Sequence, residues 1–205
     1  MKRSAADSKK RILDAAEAEF ASKGFDGARL ATIAEGAAVQ QALIHHYFRD
    51  KAGLYREVIE RALGAVSAEG KSILGRMPSP LPAAKIAELT FALAESLVRF
   101  CVEHGAVLAI LRHDVDLGAE LVGANIRPVF DGVVAIVEGL RRRGKVRKDL
   151  DARHLCLSAL GMAIVTTHEE HLLRALWPEA DPRAPEFVAA RTREIARTVL
   201  ARLLP

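Results

Sequence analysis

Residues 39–48 read VQQALIHHYF. Two carboxamides, two imidazoles and a phenol crowd into this short stretch, and no acid interrupts them. A carboxamide carries a donor beside an acceptor, which matches the N6 and N7 edge of adenine in the major groove. That is the chemistry open to Gln40 and Gln41. The methyl groups of Ala42 and Leu43 suit the thymine methyl. His45, His46 and Tyr47 can donate to phosphate oxygens, contacts that fix orientation rather than read sequence. Lys51 follows closely, while Arg29 and Thr32 precede and could hold backbone phosphates.

Such a group needs a helix to present it. At about 100° per residue, Ile44 and Phe48 fall on one stripe and face a core with Val39. Ala42, His45 and His46 then point away, Leu43 and Tyr47 lie at the edge, and Gln40 and Gln41 sit on the first turn. A solvated helix face usually mixes Glu with Lys. The same residues could be plain surface of a small helical domain, but the missing acids favour an anionic, hydrogen-bonding partner, double-stranded DNA.

Helical periodicity runs along most of the chain, and period-two alternation hardly occurs. The first helix spans about 8–23 on Ile12, Leu13, Ala16 and Phe20, and Gly24 ends it. A short helix follows over 29–36, with Leu30, Ile33, Ala34 and Ala37 inward. A tight turn at 37–39 leads to the third helix, 40–47. Asp50 is the expected N-cap of a fourth, built on Leu54, Val58, Ile59 and Leu63 and reaching past residue 70. RMPSPLP (76–82) breaks the pattern. Further helices are expected at 83–104, 105–115, 117–143 (kinked at Pro128), 151–175 and 184–203. GKVRKDL (144–150) and WPEADPRAP form connections. The expected fold is all-α, with nine or ten helices.

The chain has 205 residues, enough for a substantial core in one or two domains. A net charge of +4 agrees with nucleic-acid binding without demanding it. Cys101 and Cys156 match no metal or redox spacing and read as packed thiols of a reducing, cytoplasmic compartment. The basic start has no apolar run behind it, and 155–167 is too short to span a bilayer, so no membrane partner is expected. HEEH (168–171) lacks the second histidine that the metalloprotease pattern needs, and Leu172 stands in that place. No triad order, phosphate-binding loop or metal motif suggests an enzyme or a cofactor. Lys2 and Arg3 could reach a minor groove, though an uninvolved tail is the plainer reading.

GFDGARLATIAEGAAVQQALIHHYFRDKAGL (24–54) resembles the N-terminal signature of TetR-family transcriptional repressors. Gly24-Phe25, Ile33-Ala34, Ala37, Val39, HHYF, Lys51 and Leu54 carry the resemblance, and ILDAAEAEF (12–20) resembles that family's first helix. It implies a helix-turn-helix domain over 8–66, with its motif at about 29–48, and an effector-binding and dimerisation domain over 67–205. It places Gln40, Gln41, Ala42, Leu43, His45, His46 and Tyr47 on the DNA face, with Arg29, Thr32 and Lys51 flanking. Three positions depart from the family pattern. Ala38 stands where Gly is usual, Gln40 where Ser is frequent, and His45 where Tyr is frequent.

The resemblance further implies a homodimer that reads a palindromic operator and responds to a small effector. A repressor is expected; an activator, or a ligand-binding helical scaffold without DNA binding, is the alternative. The last two long helices could form a four-helix bundle with a second copy, through Leu155, Leu160, Ile164, Val188, Ile195 and Val199. Phe91, Phe100, Leu111, Phe130, Val134 and Met162 could line a pocket. His104, His113, Asn125, Thr166, Thr167 and His168 would be its polar groups. The weight of apolar residues suggests an apolar or amphipathic effector.

Overall fold

The computed structural model describes residues 5–113, 115–168 and 170–204. At 112, 113, 115, 166–168, 170 and 171 it describes the backbone alone. Among the described residues the chain is all-α, without a β-strand. Its helices are α1 (Ala5–Gly27), α2 (Leu30–Gly36), α3 (Gln41–Phe48), α4 (Lys51–Gly75), α5 (Ile86–Glu103), α6 (Gly105–His113), α7 (Val115–Asn125), α8 (Arg127–Arg142), α9 (Ala152–His168), α10 (Glu170–Leu176) and α11 (Pro185–Leu203). A single 3₁₀ turn, Ala83–Lys85, precedes α5.

Packing divides the chain into two units. One comprises the residues up to Gly64 together with Ala106–Gly123; the other comprises Ala65–Gly105 and the residues from Ala124 onward. Helix α4 begins in the first and ends in the second. The segment 106–123, assigned by sequence to the C-terminal domain, packs with the N-terminal helices.

The first unit has the core that the apolar spacing predicts. Ile12, Ala16 and Phe20 of α1 are fully buried, with Ile33 and Ala34 of α2, Ile44 and Phe48 of α3, and Leu54, Val58, Ile59 and Leu63 of α4. Tyr55 meets Phe20 edge-on at 4.8 Å and Phe25 at 5.0 Å. Such aromatic pairs add specific geometry to plain area burial. Gly24 has φ +67°, a value that glycine adopts without a Cβ penalty, and it interrupts α1 as expected. Ion pairs join α1 to α4: Arg61 reaches Asp14 at 2.7 Å and Glu17 at 2.9 Å, and Lys9 reaches Glu57 at 2.5 Å.

In the second unit α5, α9 and α11 pack on one another, and α8 packs on α9. Ile73, Ile86, Leu89, Val134, Val137, Leu140 and Leu203 belong to one core. The end of α4 runs close to α8. A Cβ on Gly70 would come within 2.7 Å of Val129, so glycine permits the approach. Ser67 donates to the Asn125 carbonyl at 2.6 Å.

Pro128 does not kink a long helix, as its mid-segment position suggested. It sits in the first turn of α8, where a missing N–H costs nothing and the fixed φ already suits the helix. The expected helix over 151–175 corresponds to α9 and α10, which lie on either side of residue 169. Lys2, Arg3 and Glu169 lie outside the described residues.

Candidate nucleic-acid interface

Helix α3 is held to its unit by Ile44 and Phe48, both buried, with Val39 half-buried beside them. This leaves Gln40, Gln41, Ala42, His45 and His46 exposed, and Leu43 and Tyr47 half-exposed. The angular reading of the sequence therefore places these seven side chains on the accessible side of one short helix. No carboxylate shares that side, so nothing on α3 opposes an approaching phosphate.

Both ends of α3 are shaped by unusual backbone. The α2–α3 turn is closed by Ala38 N–H donating to the Glu35 carbonyl and Val39 N–H donating to the Ala34 carbonyl, each at 2.9 Å. Ala38 adopts φ 50° to make that turn. An alanine there costs about 1 kcal/mol against glycine. Gln40 flanks the helix in an extended conformation, and its side chain makes no capping bond. At the other end Arg49 has φ 66° and ψ −56°, and its N–H donates to the His45 carbonyl at 3.0 Å. Asp50 then caps α4: its Oδ1 accepts the Gly53 N–H at 2.7 Å, as the sequence suggests.

Several candidate side chains are also tied to the protein. The Tyr47 hydroxyl donates to the Ala5 carbonyl at 3.3 Å, fastening α3 to the start of α1. That spends the one proton the phenol could give a phosphate. Lys51 donates to the Asp26 carbonyl at 3.2 Å and lies 4.8 Å from the Phe25 ring centre. An ammonium keeps further donors for a phosphate while so held. Arg29 has an exposed side chain, and its backbone N–H donates to Glu19 at 3.2 Å. Thr32 is exposed on α2. His45 Nδ1 lies 3.1 Å from the Arg49 carbonyl oxygen. A carbonyl oxygen only accepts, so that nitrogen carries the proton. Neither the turn at Arg49 nor the tethers of Tyr47 and Lys51 is visible in the spacing of residue types.

The pocket candidates are divided between the two units. Phe91, Phe100, His104, Asn125, Phe130, Val134 and Met162 belong to the second, and Leu111 to the first. Phe100 and Val134 are buried; Phe91, His104, Asn125, Phe130 and Met162 are half-buried. Phe100 packs against His104, with ring centres 5.2 Å apart. The side chains of His113, Thr166, Thr167 and His168 lie outside the described residues.

Among the dimer candidates, Ile195 is only 1% exposed and belongs to the chain's own core. The reason is that α11 packs along α5 and α9 of the same chain. Leu155, Leu160, Ile164, Val188 and Val199 are half-buried. The side of α9 left open carries Leu157, 53% exposed, and Val165, 45% exposed. The spacing alone did not single out these two.

Burial pushes the Cys101 thiol up to about 12 and the Cys156 thiol up to about 11, which keeps both protonated and inert at neutral pH. Among the described residues no cluster of His, Cys, Asp or Glu could hold a metal ion, and no helix is long and apolar enough to cross a membrane.

Comparison with known proteins agrees with this geometry. No curated protein sequence matches the chain significantly. Solved structures share its fold along nearly the whole length. A TetR family transcriptional regulator, PfmR of Thermus thermophilus, is 18% identical with a TM-score of 0.68, over 93% of this chain and 97% of that one. The ketosteroid transcriptional regulator KstR2 of Mycobacterium tuberculosis is 17% identical with a TM-score of 0.68, over 96% and 95%. The transcriptional regulator FadR of Bacillus subtilis, solved in complex with stearoyl-CoA, is 15% identical with a TM-score of 0.68, over 94% and 97%. At such identities the likeness is one of fold. Residues 12–58 match the family model of bacterial regulatory proteins, tetR family, and contain α2, α3 and the turns described above. Residues 12–58 thus resemble the N-terminal domain of tetR-family regulatory proteins, and the rest of the chain shares the fold of the solved structures.

Proposed function

We propose that this regulator binds a palindromic DNA operator as a homodimer, represses transcription there, and is released by a small apolar or amphipathic effector. The observation that carries the reading is the exposed, acid-free side of α3 within a tetR-family domain. Gln40 and Gln41 read bases from its first turn, and Ala42 and Leu43 meet thymine methyls. Arg29, Thr32, His46 and Lys51 hold phosphates on either side.

A single short helix reads only a few base pairs, and two copies one DNA turn apart extend the site. Leu157 and Val165, separated by two turns on α9 with Gly161 between them, supply an apolar stripe for the second copy. Nothing lies within 4 Å of where a Gly161 Cβ would stand, so a partner helix can come close there.

Relatives of the same fold include a fatty acid degradation regulator and the stearoyl-CoA complex, which favours a long-chain acyl effector in the second unit. Release follows as a population shift. The effector favours an arrangement in which α4, shared by both units, no longer sets the two α3 helices one turn apart.

Selection of bound duplexes from a random pool tests the reading. One palindrome should be enriched, with half-sites about 10 base pairs apart. Stearoyl-CoA, compared with free coenzyme A, should weaken that binding by roughly 5–150-fold. A pool in which no sequence outcompetes random DNA refutes the reading. Enrichment that acyl-CoA leaves unchanged removes the acyl effector alone.

A further inference from the structure

We propose that Arg49 holds a DNA phosphate at the end of the recognition helix, and that His45 is its positioning residue. The inference rests on the DNA-binding reading above and adds two roles to it.

The Asp50 N–H donates across Arg49 to the Phe48 carbonyl at 2.7 Å. With φ 66° and ψ −56° at Arg49, this is the γ-turn of the rare, strained hand. Glycine would relieve that strain, yet an arginine occupies the position. Three constraints enforce the turn. The Arg49 N–H is bound by the His45 carbonyl at 3.0 Å, and the Arg49 carbonyl is bound by His45 Nδ1–H at 3.1 Å. These two bonds close a ring between residues 45 and 49. Gly53 supplies the third constraint. A Cβ there would stand 2.3 Å from the Phe48 oxygen, so only a glycine leaves room for that carbonyl.

The turn is thus over-determined by the backbone and by His45, while the Arg49 guanidinium takes no part. Its side chain is exposed and has no hydrogen bond or ion pair among the described residues. Arg56 and Arg61 of this unit are engaged, Arg56 with Glu120 and Arg61 with Asp14 and Glu17, whereas Arg29 shares with Arg49 an exposed side chain. Asp50, its immediate neighbour, has committed Oδ1 to the Gly53 N–H. An unengaged guanidinium therefore stands between the exposed histidines of α3 and Lys51. Its planar fork suits a phosphate better than an ammonium does. Because the His45 ring is bound to the Arg49 carbonyl through Nδ1, it acts by fixing the backbone from which that fork projects. On residue type alone, His45 was expected to hold the phosphate itself.

The test measures affinity against salt for a labelled random-sequence duplex of about 30 base pairs and for the duplex recovered by selection. Arg49→Gly should weaken both alike, by roughly tenfold at about 0.15 M salt, and flatten the log–log salt slope by about 0.9 per lost contact. The same change should raise the thermal midpoint, since glycine accepts the turn without strain. Arg49→Lys should keep most of the slope. His45→Ala should weaken binding in the native background and add little to Arg49→Gly. An unchanged slope in Arg49→Gly would reduce Arg49 to a solubilising surface charge and overturn the proposal. Additive losses from the two substitutions would overturn the positioning role of His45. Absence of DNA binding by the unaltered protein refutes the functional reading itself and this proposal with it, an outcome distinct from binding that ignores Arg49.

Discussion

Two turns bracket α3, and both place a residue other than glycine at positive φ: Ala38 at 50° before it and Arg49 at 66° after it. They differ in what holds them and in what the side chain can offer. The turn at Ala38 is closed by main-chain hydrogen bonds, and its methyl group is exposed. The turn at Arg49 is fixed by an imidazole, by a carboxylate cap on the next helix and by a glycine notch, and it carries an unengaged guanidinium. Strain is informative where surrounding groups enforce it, and much less so where the backbone tolerates it unaided.

The sharpest way to break this contrast is Gly53→Ala. A methyl 2.3 Å from a backbone oxygen has no flexible neighbour to displace. We expect a loss of about 3 kcal/mol, read as a thermal midpoint lower by roughly 6–12 °C. An unchanged midpoint would mean that the turn does not need the notch. Next in size is the division between reading and holding. Gln41→Ala should lose about 1–3 kcal/mol of discrimination at one base pair. Lys51→Ala should weaken all sequences alike, and it also removes the Phe25 and Asp26 contacts from the folded protein. Equal losses across sequences for both variants would erase the division.

Ala38→Gly should stabilise the protein by about 1 kcal/mol and leave DNA affinity unchanged, whereas Arg49→Gly should stabilise it and lose affinity. Reduced affinity in that variant would show that the first turn also has a functional use. The smallest effect belongs to Asp14. Burial raises its carboxyl, but hydrogen bonds and charges from Lys10 and Arg61 outweigh that and hold it below its ordinary value of 3.8. A depressed carboxyl stabilises the fold above that value and ceases to do so as pH falls through the lowered one. Asp14 is half-exposed, so Asp14→Asn should cost only about 0.5 kcal/mol near neutrality. In denaturant titrations that gap should shrink as pH falls below 3.8 and vanish below the lowered value.

These two turns also mark how far the sequence could be read. Ile12, Ala16 and Phe20, Ile44 and Phe48, and the Asp50 cap are local patterns, and each lies where its spacing places it. The exposed side of α3 follows from the same angles. The tether from Tyr47 to Ala5 spans 42 positions, and no periodicity encodes such a bond. The γ-turn was hidden because arginine is an ordinary residue after a helix, and only Gly53 in the first turn of α4 hinted at a close approach. Pro128 misled because a proline within an apolar stretch can equally break one helix or begin another; only the position of Asn125 decides. Ile195 misled because periodicity shows that a side is buried without showing which chain buries it.

Arg56 holds Glu120 with two hydrogen bonds, at 2.9 and 3.3 Å, and both residues belong to the unit that begins with α1. That unit is written in two separated pieces of the chain. A ribosome releases α1 to α3 early, but the partner of Arg56 arrives only after α5 has also been made. That unit is therefore complete only once residues 106–123 have been made. A nascent chain arrested shortly after Gly64 should be more open to protease than one arrested well past Gly123.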